Sequence, residues 1–224
     1  LQSVPLGLIM GEEAVVKNQN PRFVAFASGS GSNFEAILDA IDQGNLHAIC
    51  VALIASRPNI GVIEKATIRG IPVHVVQKTQ HATSASFDDE LTKVVQSYSP
   101  DFGVLAGYLQ KIPSSVLSAI HGPIFNIHPS LLPKYGGKGF FGMRVHEAVI
   151  DAGESESGCT VHLVTDKYDE GPILAQARLT IPKGCRPSEL ASAVLSLEHT
   201  LYPITIQTTL EDYGTLQRTF ATAN

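Results

Sequence analysis

Arg22-Phe23-Val24-Ala25-Phe26-Ala27-Ser28-Gly29-Ser30-Gly31-Ser32-Asn33 runs an apolar stretch straight into a serine and glycine turn. Phe23–Ala27 predicts a buried strand, and Phe34, Ile37, Leu38 and Ile41 recur at helical spacing over Asn33–Gln43. A strand that ends in glycines where a helix begins is the opening unit of a parallel sheet with crossover helices.

The pattern repeats outward from that unit. Ile49–Ala55, Val73–Val76, Phe102–Ala106 and Ile124–His128 read as further strands, and Phe87–Ser97 carries Phe87, Leu91, Val94 and Val95 on one helical face. Thr160–Val164 and Leu174–Ile181 follow as strands, then a helix over Pro187–Thr209, and the tail after Tyr213 reads as a last edge strand. The expected fold is α/β, a doubly wound, mostly parallel open sheet with helices on both faces. Residues 1–21 read as an extension, and 22–224 as a single domain without repeats or a dividing linker.

Composition narrows the function. The formal net charge is -5, so no broad positive field exists to hold a nucleic-acid backbone. No stretch approaches the run of about 20 apolar residues that a membrane span needs. Cys50, Cys159 and Cys185 lie far apart and suggest neither a zinc site nor a disulfide framework; a reducing cytoplasm is the expected compartment and no metal is expected.

Three motifs carry chemistry. In Ser28–Asn33, glycines let a ligand approach the backbone, and free N–H groups at a helix start favour a phosphate. Phe34 stands where the third glycine of a dinucleotide fingerprint belongs, so a single phosphate suits the turn better than a dinucleotide. In Asn126-Ile127-His128-Pro129-Ser130-Leu131-Leu132-Pro133, strand alternation puts Asn126 and His128 on one face. An amide and an imidazole aimed at one point suit attack on a carbonyl, whereas neither Ser130 nor any Cys has an evident base beside it. Gly158-Cys159-Thr160-Val161-His162 leads to Thr165-Asp166-Lys167-Tyr168-Asp169-Glu170-Gly171, which by itself reads as a solvated acidic turn.

Taken together and in this order, the motifs resemble the phosphoribosylglycinamide formyltransferases, folate-dependent transferases of purine synthesis, over Arg22–Pro203. The Ala106–Leu109 stretch, the run from Asn126 to Tyr135 and Val164–Ile173 share in the likeness. The resemblance implies direct attack of the glycinamide ribonucleotide amine on the formyl carbon of 10-formyltetrahydrofolate, with Asn126, His128 and Asp169 catalytic and Asp169 raising the His128 pKa. It implies a ribonucleotide site at Gly31, Ser32, Asn33 and Glu198. It implies a folate site at Leu109, Gln110, Lys111 and Ile112, with Asn126 and Thr165, Asp166, Lys167, Tyr168 and Asp169. The partners are then small molecules, with no nucleic acid or membrane, and the chain a monomer or homodimer.

Ser84, Leu195 and the Gln110-Lys111 pair depart from the common pattern, and Lys78 or Lys111 is the expected source of charge for the folate's acidic tail. The glycine-rich loop Gly136–Met143 is longer than the pattern and is expected to act as a lid. The rival readings are a formyltetrahydrofolate hydrolase, which resembles this pattern but carries an added domain ahead of it, and a non-catalytic folate or nucleotide binder.

Overall fold

The computed structural model of the protein describes residues 20–221, with side chains to residue 212. The expected extension therefore falls largely outside the described residues. Seven strands form one sheet: β1 (Arg22–Ala27), β2 (Ile49–Ala55), β3 (Val73–Val75), β4 (Phe102–Leu105), β5 (Ile124–His128), β6 (Glu156–Leu163) and β7 (Ile173–Thr180). Their order is β3-β2-β1-β4-β5-β6-β7, with β1 to β5 parallel and β6 and β7 antiparallel. The expected mostly parallel, doubly wound sheet is the one observed.

The helices are α1 (Ser32–Asp42), α2 (Gly61–Ile68), α3 (Ser84–Tyr98), α4 (Ser114–Ala119), α5 (Met143–Asp151) and α6 (Pro187–Ala221). One core face joins Ile37 of α1, Val62 of α2, Val149 of α5 and Val194 of α6 to Phe23, Val104 and Phe125 of the sheet. The other packs Phe87, Leu91 and Val95 of α3 and Val116 of α4 on Val24, Phe26 and Ile54. Strands covered on both faces must be apolar throughout, which is why β1 shows no alternation after Arg22.

The tail corrects one expectation. Among the described residues no edge strand follows Tyr213, because α6 runs on to Ala221. Extending an existing helix adds one hydrogen bond per residue fixed, without the cost of a new nucleus. Pro203 is accommodated inside the same helix. Among the described residues, no helix is long and apolar enough to cross a membrane.

The order in which successive strands are added reverses between the parallel neighbours β1 and β4, and loops at the carboxyl ends of these strands diverge there into a crevice. Ser28 ties the crevice floor together. Its Oγ accepts from Ser56 Oγ at 2.8 Å and from the Leu109 N–H at 3.0 Å, joining the ends of β1, β2 and β4. Tyr202 of α6, fully buried, shares its one hydroxyl proton between the carbonyls of Leu105 (2.9 Å) and Phe125 (3.0 Å) in β4 and β5. Tyr202→Phe leaves both carbonyls short of a donor in a dry core, so we expect a loss of about 1–3 kcal/mol, read as a lower urea midpoint at unchanged m-value.

Candidate active site

Asn126 and His128 lie on the same face of β5, as alternation requires, and His162 of β6 is the antiparallel partner of Asn126. Asn126 Nδ2 sits 3.0 Å from His162 Nε2. The His162 Nδ1 lies 2.9 Å from the Leu163 carbonyl, which assigns the proton of the neutral ring to Nδ1 and leaves Nε2 to accept from the Asn126 amide.

Asp169 closes the group from the β6-β7 loop. Its Oδ2 is 3.6 Å from His128 Nδ1, its Oδ1 is 3.5 Å from His162 Nε2, and its Oδ2 accepts from the Gly137 N–H at 2.8 Å. Asp169 takes a left-handed backbone, φ 54°. Two positions later Gly171 passes the Leu163 carbonyl so closely that a Cβ there would fall 1.7 Å from the oxygen, so this turn admits no side chain. Asp169 and Gly171 are thus packed into the site, while Asp166, Lys167, Tyr168 and Glu170 remain exposed, as the composition of the turn suggests.

Burial sets the electrostatics. Removal from water raises the Asp169 carboxyl pKa, but the adjacent His162 and His128 imidazoles and the Gly137 N–H together outweigh it and leave the pKa below the ordinary value. His128 corrects the expected direction: burial pushes its pKa down by more than Asp169 and the Tyr135 hydrogen bond raise it. The resting ring is therefore neutral, with Nε2 donating to the Tyr135 carbonyl at 2.7 Å.

No side chain is set up as a nucleophile. Ser130 Oγ donates to the Lys134 carbonyl at 2.7 Å, and burial pushes the Cys159 thiol up to about 12.

A cleft of about 60 Å³ opens beside this group. Gln110, Lys111, Ile112, Thr165, Lys167 and Tyr168 line it with Asn126, His162 and Asp169. Leu109 and Asp166 are not lining residues, and Leu109 meets the site through its backbone N–H on Ser28. Tyr108 Oη and Gln110 Oε1 are buried there without partners, although buried polar atoms seldom go unpaired.

The second cluster forms at the start of α1. Gly31 has φ 76° and no side chain caps the helix, so its first amides face outward. A Cβ on Gly31 would fall 2.5 Å from Val62 Cγ2, which explains the glycine on packing grounds as well. Asn33 Nδ2 donates to Glu198 Oε2 at 2.6 Å. Glu198 is 7% exposed, not an outward helix charge, and burial raises its carboxyl to about 6 against the Asn33 bond.

The structure thus brings Asn126, His128 and Asp169 to one point and Gly31, Ser32, Asn33 and Glu198 to another. His162 was missed. It stood in a motif already singled out, but only the antiparallel register of β5 and β6 reveals that it faces Asn126.

The formyl transferase family model matches residues 21–206. The chain belongs to the formyl transferase family. It is 39% identical over 199 residues to the chloroplastic phosphoribosylglycinamide formyltransferase of Vigna unguiculata, covering 89% of this chain and 64% of the relative's length. It is 33% identical to phosphoribosylglycinamide formyltransferase of Escherichia coli, covering 82% of this chain and 84% of that protein. The crystal structure of glycinamide ribonucleotide transformylase 1 from Symbiobacterium toebii superposes with a TM-score of 0.81 at 32% identity, covering 91% and 93% of the two chains. The family thus accounts for the sheet and the placing of loops at its carboxyl edge.

His128 and His146 both have pKa values held below 6.5, burial being the first cause in each. The unfolded chain then takes up these protons at a higher pH than the native one, so stability is greatest above the ordinary imidazole value and falls as pH drops through it. We expect the urea midpoint to fall between about pH 7.5 and 6, and His146→Gln to flatten that fall.

Proposed function

We propose that this formyl transferase moves the formyl group of 10-formyltetrahydrofolate to the amine of glycinamide ribonucleotide, giving the N-formyl product of purine biosynthesis, within a single domain over 22–224. The observation that carries the reading is the convergence of Asn126, His162 and Asp169 on one cleft, with His128 buried 3.6 Å behind the Asp169 carboxylate and no activated nucleophile nearby among the described residues. Such a site suits direct transfer between two bound substrates.

The amine attacks the formyl carbon and its carbonyl oxygen gains negative charge. The Asn126 amide and a His128 N–H donate to that oxygen. The attacking nitrogen must lose a proton and the folate nitrogen must gain one as the carbon-nitrogen bond breaks. Asp169, an ionised carboxylate between two imidazoles, stabilises either ring when it takes that proton in transit.

The residues fit a folate. The unpaired Tyr108 hydroxyl and Gln110 carbonyl offer hydrogen-bond partners to a heterocycle with N–H groups, and Lys111 and Lys167 stand at the same cleft. Lys78, in a short turn before α3, remains the other proposed contact for an acidic tail. The ribonucleotide is assigned to Gly31, Ser32, Asn33 and Glu198, where open amides favour its phosphate. All three cysteines are free, which fits a reducing compartment: the cytoplasm read from the sequence, or a plastid interior as the name of the Vigna unguiculata relative suggests.

Formyl transfer is expected to release folate only when ribonucleotide is present. His128→Ala should lower kcat about 100- to 1000-fold, the usual loss for one oxyanion donor. Folate release without ribonucleotide would instead identify a hydrolase, and folate binding without release a non-catalytic binder.

The lid reading gains support from the Tyr135 carbonyl on His128 and the Gly137 amide on Asp169, both in the loop segment that leads into Met143. The 60 Å³ cleft must also widen, since drug-sized ligands occupy about 300 Å³ or more. Shortening the loop within 138–142 is expected to raise formyl hydrolysis relative to transfer; an unchanged ratio excludes a water-excluding lid.

A further inference from the structure

Three basic residues lie on the segment from the end of β2 through the end of α2, beside the Ser28–Asn33 turn and α1. Lys65 is paired with Glu35 at 2.5 Å, and Arg69 is paired with both Asp39 and Asp42. These cations are neutralised by acids of α1. Arg57 is different: it makes no ion pair among the described residues, and its one hydrogen bond is from Nε to the Ser28 carbonyl at 3.2 Å. That bond holds the guanidinium at the turn and leaves both terminal nitrogens free.

The loop that carries Arg57 and the turn are one packed body. The Val62 N–H donates to the Gly29 carbonyl at 3.3 Å, Gly61 lies close against Ser30, and Gly31 has no room for a side chain beside Val62. Across the turn, Asn33 Oδ1 is buried without a partner, next to Glu198. The helix end itself supplies only about half a unit of positive charge. A phosphomonoester at neutral pH carries nearly two negative charges, and the nearby Glu198 opposes them when it ionises.

We propose that Arg57 is a specificity-determining residue that pairs with the phosphomonoester of the ribonucleotide at the uncapped start of α1. This rests on the ribonucleotide site proposed above. A planar guanidinium with two free nitrogens binds phosphate oxygens in pairs, and anchoring Nε lowers the entropy lost when it does so. Arg57 takes no part in proton transfer and acts on recognition alone.

The test compares wild type with Arg57→Gln and Arg57→Lys on glycinamide ribonucleotide and on its dephosphorylated riboside. Arg57→Gln is expected to raise the ribonucleotide KM about tenfold or more with kcat and folate KM unchanged, in line with loss of a charge-assisted contact. The riboside kcat/KM should be the same in both proteins, and Arg57→Lys should restore part of the loss. A ribonucleotide KM within about twofold of wild type, or an equal loss on the riboside, overturns the proposal.

A second readout needs no transfer. Ribose 5-phosphate, and not ribose, should raise the Tm of wild type and leave that of Arg57→Gln unmoved. Equal shifts in the two proteins, or none in wild type, overturn the role of Arg57. Wild type that fails to use the ribonucleotide yet shows the Arg57-dependent shift would separate a wrong acceptor from a wrong phosphate contact.

Discussion

A carboxylate largely removed from water must find partners: Asp169 accepts from the Gly137 amide in the long loop and lies against His128 Nδ1 at the end of β5 (3.6 Å) and His162 Nε2 on β6 (3.5 Å), the two bases that it favours when either takes a proton. Both imidazoles are held elsewhere as well. His128 is bonded to the Tyr135 carbonyl, and His162 to Asn126 and to the Leu163 carbonyl. One buried negative charge therefore fixes the relative placing of a strand pair and two loops. The tight turn at Gly171 brings the carboxylate there, and any side chain at that glycine would displace it.

In the proposed reaction the same contacts keep the resting site out of its working arrangement. His128 is held neutral by burial, and its donor N–H is spent on a loop carbonyl. An oxyanion reaching this ring would compete with Tyr135 for that proton and reverse the balance that burial sets, since a nearby negative charge favours the imidazolium. Under the proposed lid, loop position, donor release and proton affinity are coupled through two backbone groups, the Tyr135 carbonyl and the Gly137 amide. A catalytic hydrogen bond that forms only when the substrate displaces a loop is a common property of sites seen without ligands.

The sheet was legible because a strand covered on both faces must be apolar throughout, and β2, β4 and β1 after Arg22 carry no charged or amide side chain, while β5 departs only at Asn126 and His128. Their boundaries came within a residue for the same reason. The face shared by Asn126 and His128 followed from the two-residue period of a strand. His162 was not legible, because antiparallel register depends on where the chain turns back and not on the residues of β6 alone. Nor was the direction of the His128 shift: the sequence brings Asp169 to mind as a charge, whereas the depth of burial that outweighs it belongs to the folded packing. The misread tail shows a further limit. Its β-favouring residues argue for a strand, yet they follow an established helix that they extend without a new nucleus.

The two acidic substrates proposed for a chain of net charge -5 pose an apparent conflict that distance resolves. A protein of this length has a radius of about 20 Å, and five charges spread at that range act on a bound anion with about 1 kcal/mol in water before salt screening reduces it. One cation at about 4 Å near a surface of effective dielectric 20 contributes about 4 kcal/mol in the opposite direction. Pairing of Lys65 and Arg69 with α1 acids leaves little field beyond their own neighbourhood, whereas an unpaired guanidinium at the Ser28–Asn33 turn keeps its field where the open amides already point. Binding of an anion by this acidic protein then depends on which cations the fold leaves unpaired, and far less on how many the sequence contains.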